Sequence, residues 1–296
     1  MSRQTPQDDS RSRPPKRRLV VGCGALGMRV ARRWLAAGDQ VWGTTRSRPA
    51  ELASVGITPV VADIGGGTLP ALPAVDTVFW AVGFDPSSEL SPRQLHVEGL
   101  EQLLAAVPNP DRVVLSSSTG VWGDGDGETV NELTPACPAR PSAAALLEAE
   151  ALLSRHPAGP GVSLRFAGLY GPERLPRLDA LRAGTPLAAD PDSWLNLIHL
   201  DDAALVVCLA ADAPHAKSLY VVSDGTPLRR GDWYRQLAQL HGCPPPKFNP
   251  PAATARGATA RGGSKRADAT RLFTELAPRL AYPNALEALE QLTASS

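Results

Sequence analysis

Net charge is missing from this 296-residue chain: thirty basic and thirty acidic side chains cancel. No overall field draws it to nucleic acid or an anionic membrane, and neither is an expected partner. Long apolar runs are missing as well, since no uninterrupted stretch approaches the roughly 20 residues that span a bilayer. Cysteine is scarce: Cys23, Cys137, Cys208 and Cys243 stand far apart. Without a Cys-x-x-Cys pair, neither a metal site nor a disulfide framework is expected, and the reducing cytoplasm is the expected compartment. One absence is local, for between Lys16 and Lys217 there is no lysine at all. Residues 1–17 combine Gln, Ser, Pro and Asp with several arginines and lack a signal-peptide core, so they read as a disordered, solvated tail.

What is present is ordinary globular composition, 43% hydrophobic and 20% charged. From Leu19 to about Gly168, apolar runs of about five residues alternate with helical patterns, the signature of βα units on a parallel sheet. The expected strands are Leu19–Gly22, Gln40–Thr44, Thr58–Ala62, Thr77–Ala81, Arg112–Ser116 and Val162–Ala167. Between the first two, Leu26, Val30 and Trp34 fall on one helical stripe and Gly38 can end the helix. The fold expected is a Rossmann-type doubly wound α/β sheet over residues 18–170, followed by a smaller mixed substrate-binding region over 171–296. That second region carries a helix near Arg174–Ala183, strands near Leu195–His199 and Leu219–Ser223, a loop over Pro244–Gly263 and a last helix over Asn284–Leu292.

The first strand runs through Gly22-Cys23-Gly24-Ala25-Leu26-Gly27 directly into the amphipathic helix, the strand-turn-helix context that GxGxxG requires. Gly22 permits a tight turn, Gly24 lets a pyrophosphate approach the backbone, and Gly27 lets helix and strand pack closely. The helix N-terminus attracts the phosphate charge. Gly22, Gly24, Ala25, Leu26 and Gly27 are therefore the expected cofactor contacts. Where NAD-specific proteins usually place an acid after the second strand, this chain has Thr45, Arg46 and Ser47. A guanidinium and hydroxyls suit a 2′-phosphate, so NADP(H) is the expected cofactor; the alternative is that Arg46 and Arg48 are exposed loop charges. Asp63 can accept from the adenine amino group or cap its strand, and Ala81 and Val82 can line the cofactor from the end of the fourth strand.

Ser116-Ser117-Ser118-Thr119-Gly120-Val121-Trp122-Gly123 resembles the serine segment of the extended short-chain dehydrogenases/reductases, the NAD-dependent epimerase/dehydratase group. The segments from Leu164 to Pro172 and from Ile198 to Ala203 resemble that group's nicotinamide-side and His-x-Asp-Asp elements, in the expected order. The resemblance implies an NADP(H)-binding fold, a small-molecule substrate, the possibility of a homodimer, and Ser118 as the catalytic serine. It also exposes departures. Alignment on Glu148 and Glu150 puts Ser142 and Leu146 where the group carries its Tyr-x-x-x-Lys pair, and His96 where many relatives carry an asparagine. The glycine spacing differs too, as in the atypical members of the group. A replacement proton donor would have to come from His96, His199, Tyr170 or water, while Asp201 and Asp202 read as capping and loop-fixing acids. Two functions follow: an NADP(H)-dependent oxidoreductase or epimerase-like protein with a degenerate Tyr-x-x-x-Lys site, or a non-catalytic NADP(H)-binding redox sensor or regulator.

Overall fold

The computed structural model of the protein describes residues 13–156, 161–250 and 263–294. Seven strands form one sheet: β1 (Arg17–Val21), β2 (Gln40–Thr45), β3 (Thr58–Val61), β4 (Thr77–Trp80), β5 (Arg112–Ser118), β6 (Gly161–Phe166) and β7 (Leu219–Val222). They lie in the order β7-β6-β5-β4-β1-β2-β3, every neighbouring pair parallel. This is the doubly wound α/β architecture that the sequence periodicity implies.

The flanking helices are α1 (Ala25–Ala36), α2 (Pro49–Ser54), α3 (Gly99–Ala106), α4 (Pro141–Arg155) and α5 (Leu200–Asp212). Apolar strands of this kind bury both faces because side chains alternate between them. Leu19, Val21, Val78, Trp80 and Leu115 pack with Leu100 and Leu103 of α3 and Ala149 and Leu153 of α4. Their neighbours Val20, Phe79 and Val114 point the other way, onto Val30 and Trp34 of α1 and Val206 and Ala210 of α5. The stripe read from the sequence of α1 is the buried one: Leu26, Val30 and Trp34 are all in the core. Gly38, at φ +82°, turns the chain out of that helix.

The sheet reaches beyond residue 170. β7 pairs with β6 and α5 packs on the α1 side, so residues 200–222 complete the Rossmann layers although they follow the expected boundary. A third core gathers Tyr170, Leu181, Leu187, Leu197 and Leu289 around Trp233 and Leu237 of α6 (Arg230–Leu240), with α8 (Ala285–Ala294) against it. Between α6 and α8 along the chain comes α7 (Thr270–Glu275), whose Leu272 belongs to the core on the α1 side of the sheet. The strand expected over 195–199 is two short ones, Trp194–Leu195 paired with Leu228–Arg229 and Leu197–His199 paired with Gly168–Tyr170, broken at Asn196. Only Leu178–Arg182 of the helix expected near 174–183 forms, after Arg177 at φ +69°. Of the expected tail, residues 1–12 lie outside the described ones; Arg13 pairs with Asp39 (2.8 Å) and Lys16 with Asp212 (2.7 Å). Residues 251–262 of the expected loop likewise lie outside.

Candidate functional site

The strand order reverses between β1 and β4, and in doubly wound sheets the crevice at that switch point takes the ligand. Gly22 sits there at φ +95°, and an added Cβ would stand 3.0 Å from the carbonyl oxygen of Ala81 and 3.2 Å from the Val82 nitrogen. Gly27 is pressed against the Gly22 carbonyl, where a Cβ would overlap it. Gly24 differs: it is exposed, with nothing within 4 Å of a Cβ placed on it. It precedes α1, whose N-terminus has no side-chain cap and no acid in its first turn. The backbone N–H groups of that turn, over Ala25 and Leu26, are thus open to an anion arriving past Gly24. The turn fits the pyrophosphate of a dinucleotide.

At the end of β2 the two arginines part company. Arg48 is committed: its guanidinium donates to the Cys23 carbonyl (3.0 Å) and pairs with Glu51 (3.1 Å), while its N–H donates to the Thr45 hydroxyl (3.0 Å). Arg46 makes no hydrogen bond or ion pair among the described residues. With Asp63, Val61 and Leu69 it lines an open groove of about 650 Å³, and Ser47 is exposed beside it.

Ser118 ends β5 and caps the turn Thr119–Trp122, its Oγ accepting from the Gly120 N–H at 3.0 Å. Its own O–H remains to donate. Ser117 points into the fold and donates to Glu150 of α4 at 2.5 Å. Glu150 accepts from Arg165 of β6 at 2.7 and 3.0 Å, and Arg165 lies 4.6 Å from the Trp122 ring centroid. This buried network fixes β5, α4 and β6 directly behind Ser118.

Ser142 and Leu146 line a pocket of about 520 Å³ with His96, Val82, Ser116 and Ser117. No phenol or ammonium stands at the two aligned positions, and burial pushes the His96 imidazole down to about 4, leaving it neutral at neutral pH. His199 and Tyr170 are fully buried and lie outside that pocket. His199 caps α5, its Nδ1 accepting from the Asp201 N–H (3.2 Å). Asp202 accepts from the Ala281 and Tyr282 N–H groups (2.8 and 2.9 Å), fixing the loop before α8.

On the other side of Ser118 opens a larger cavity of about 680 Å³, lined by Ser118, Arg140, Asn196, Arg230, Trp233 and Lys265 among others. Lys265 had no signature in the sequence; its position follows from a tertiary clamp. Asn196 donates to the Lys265 carbonyl (2.8 Å) and accepts from the Ala267 N–H (2.7 Å), and residues 266–267 pair with 129–130 as short parallel strands. The lysine that the dinucleotide half lacks thus arrives from near the chain's end. Among the described residues no cluster of His, Cys, Asp or Glu is arranged to hold a metal ion, and no helix is long and apolar enough to cross a membrane.

A doubly wound sheet with a glycine turn at its switch point and a serine-ended β5 defines a nucleotide-binding α/β protein. More narrowly, the chain belongs to the NAD dependent epimerase/dehydratase family, whose sequence profile matches residues 18–223. It is 30% identical over 282 residues to Protein YeeZ of Escherichia coli (strain K12), spanning 92% of this chain and 98% of that protein. A candidate NAD-dependent epimerase/dehydratase from Methylobacillus flagellatus is similar in structure, with a TM-score of 0.76 at 31% identity over 95% of this chain and 99% of that one. MoeE5 in complex with UDP-glucose and NAD shares the fold, with a TM-score of 0.76 at 22% identity over 94% and 97% of the two chains.

Proposed function

We propose that the protein is an NADP(H)-dependent oxidoreductase or epimerase that holds a small-molecule substrate against Ser118, with a proton relay that does not use a Tyr-x-x-x-Lys pair. The observation that carries this reading is continuity. The pocket holding His96, Ser142 and Leu146 and the larger cavity share Ser116, Ser117 and Arg140 as a common wall. A dinucleotide laid from the glycine turn along the carboxyl ends of β1, β4 and β5 ends at that wall, and a substrate in the cavity meets it from the other side. MoeE5, which shares the fold, takes UDP-glucose and NAD together. When bound, the cofactor supplies hydride chemistry. Ser118 supplies a hydroxyl donor to the reacting oxygen, and the Glu150–Arg165 network behind it keeps that donor in place.

The 2′-phosphate preference rests on Arg46, whose guanidinium is uncommitted while Arg48 is engaged. All four cysteines are unpaired, which agrees with a cytoplasmic setting. The test follows anaerobic NADPH oxidation against pooled aldehydes, ketones and nucleotide sugars, with Ser118→Ala as control. Turnover that the variant loses supports the enzyme; NADPH binding without turnover on any pool turns the reading to the redox sensor. For the cofactor, NADPH should raise the melting temperature more than NADH does, and Arg46→Ala should remove the difference. Equal shifts, or an unaffected variant, refute the 2′-phosphate assignment.

A further inference from the structure

The cavity beside Ser118 holds charges of both signs. Its carboxylates Asp124, Asp126 and Asp192 are exposed and Asp190 is half-buried, while its arginines Arg174, Arg177 and Arg229 are exposed. Two of its cations are buried: Lys265 is 2% exposed and Arg230 8%. The Lys265 ammonium has three protons and spends one, on the Gly123 carbonyl at 2.6 Å. No carboxylate pairs with it among the described residues. Asp124, its near acid, is occupied instead by the N–H groups of Ser264 (2.8 Å) and Asp126 (3.2 Å). The guanidinium of half-buried Arg140 makes no hydrogen bond or ion pair among the described residues, and its Nη2 stands 3.5 Å from the position of a Cβ on Gly120, the residue whose N–H meets Ser118. Both cations therefore converge on the one turn, 118–123, that carries the serine.

Burying an ammonium without a counter-charge costs several kcal/mol, and folded proteins ordinarily offset it with a carboxylate. Burial together with the neighbouring Arg140 and Arg230 does lower the Lys265 ammonium to about 8, with only Asp124 opposing. Even so it stays largely charged at neutral pH, held rigidly by the Asn196 clamp and facing a cavity that also admits an unpaired guanidinium. We infer that Lys265 and Arg140 form an anion-binding subsite at the 118–123 turn, so that the substrate carries a carboxylate or phosphate close to the oxygen that Ser118 holds. The planar Arg140 fork suits two oxygens of such a group, and the Lys265 ammonium adds a point charge. The inference rests on the reading of this cavity as the substrate site. It narrows the substrate class to compounds anionic beside the reacting carbon.

The test titrates the purified full chain with inorganic phosphate and, separately, malonate at low ionic strength, reading melting temperature and heat of binding. Wild type should bind at least one of the two, and the stronger arm distinguishes a phosphate from a carboxylate. Lys265→Met and Arg140→Gln should each weaken that binding about ten-fold, the scale of one lost charge-assisted contact. The Arg140 guanidinium has no scaffold partner among the described residues, so Arg140→Gln remains informative if Lys265→Met folds poorly. Absence of binding by either anion overturns the subsite, as does binding that survives both substitutions, the pattern expected of capture at the glycine turn. A parallel NADPH melt keeps the two readings apart: its failure in wild type refutes the proposed function, whereas its retention with no anion response refutes only the subsite.

Discussion

Gly24→Ala and Gly27→Ala form a matched pair that tests the dinucleotide turn. Gly27 cannot take a Cβ, because the new atom would overlap the Gly22 carbonyl and sit 3.0 Å from Val20 Cγ1. The blocking atoms belong to backbone and core, so α1 must lift from β1, an overpacking cost of about 1–3 kcal/mol or more. Gly24 has nothing within 4 Å of its Cβ position, and its φ of −82° is open to alanine. Losing glycine at an N-cap therefore costs at most about 1 kcal/mol. The open space is where a pyrophosphate would lie against the backbone, so the methyl group should weaken NADPH binding at least ~10-fold, which is ~1.4 kcal/mol. Thermal melts of both variants with and without NADPH read the two effects together. Gly27→Ala should melt early, whereas Gly24→Ala should melt near wild type yet lose most of the NADPH-induced rise. A full NADPH response in Gly24→Ala would refute the placement of the cofactor.

Four further outcomes follow from the buried groups. Glu150→Ala leaves Arg165, only 4% exposed, without its counter-charge and should cost about 3–5 kcal/mol in urea unfolding, whereas Glu150→Leu with Arg165→Met should recover most of it; a single variant within error of wild type would sink the network's role. The Asp224 carboxyl is raised by burial from 3.8 to about 7, against the opposing pull of the Thr226 N–H that it accepts from at 2.9 Å. The folded state therefore keeps a proton that the unfolded state has released, so stability should fall as pH rises between about 4 and 7, by up to ~1.4 kcal/mol per unit. Asp224→Asn should flatten that slope and be the more stable form above pH 7; an unchanged slope counts against the shift.

Much of the fold was legible because strands and α1 are local statements. Six apolar runs bounded by turn residues became six strands of the sheet, each end within two residues of its expected position, and the Leu26–Val30–Trp34 stripe became the buried face of α1. The glycine turn was legible in part for the same reason: Gly27 answers to the Gly22 carbonyl and Val20 a few residues away and Gly24 opens onto unfilled space, whereas Gly22 answers to the distant Ala81 and Val82. Less was legible where partners are distant. The seventh strand, Leu219–Val222, was visible as a strand, but nothing in its own residues said that it would extend the Rossmann sheet beside β6 instead of joining the later region. Arg46 and Arg48 look alike in sequence; only the approach of the Cys23 carbonyl and Glu51 to Arg48 separates them.

By itself, then, the chain's order of apolar runs, glycines and charges determined the doubly wound sheet, the glycine turn at its switch point and the absence of a lysine from the half that holds them. Tertiary structure alone decided that the gap would be met from the other end. Asn196 and the short strand at 129–130 draw Lys265 to the serine-bearing turn across more than a hundred residues of sequence, a placement made by hydrogen bonds between segments that carry no common pattern. Periodicity and spacing report what neighbours along the chain must do. They are silent about which distant side chain a cavity will receive.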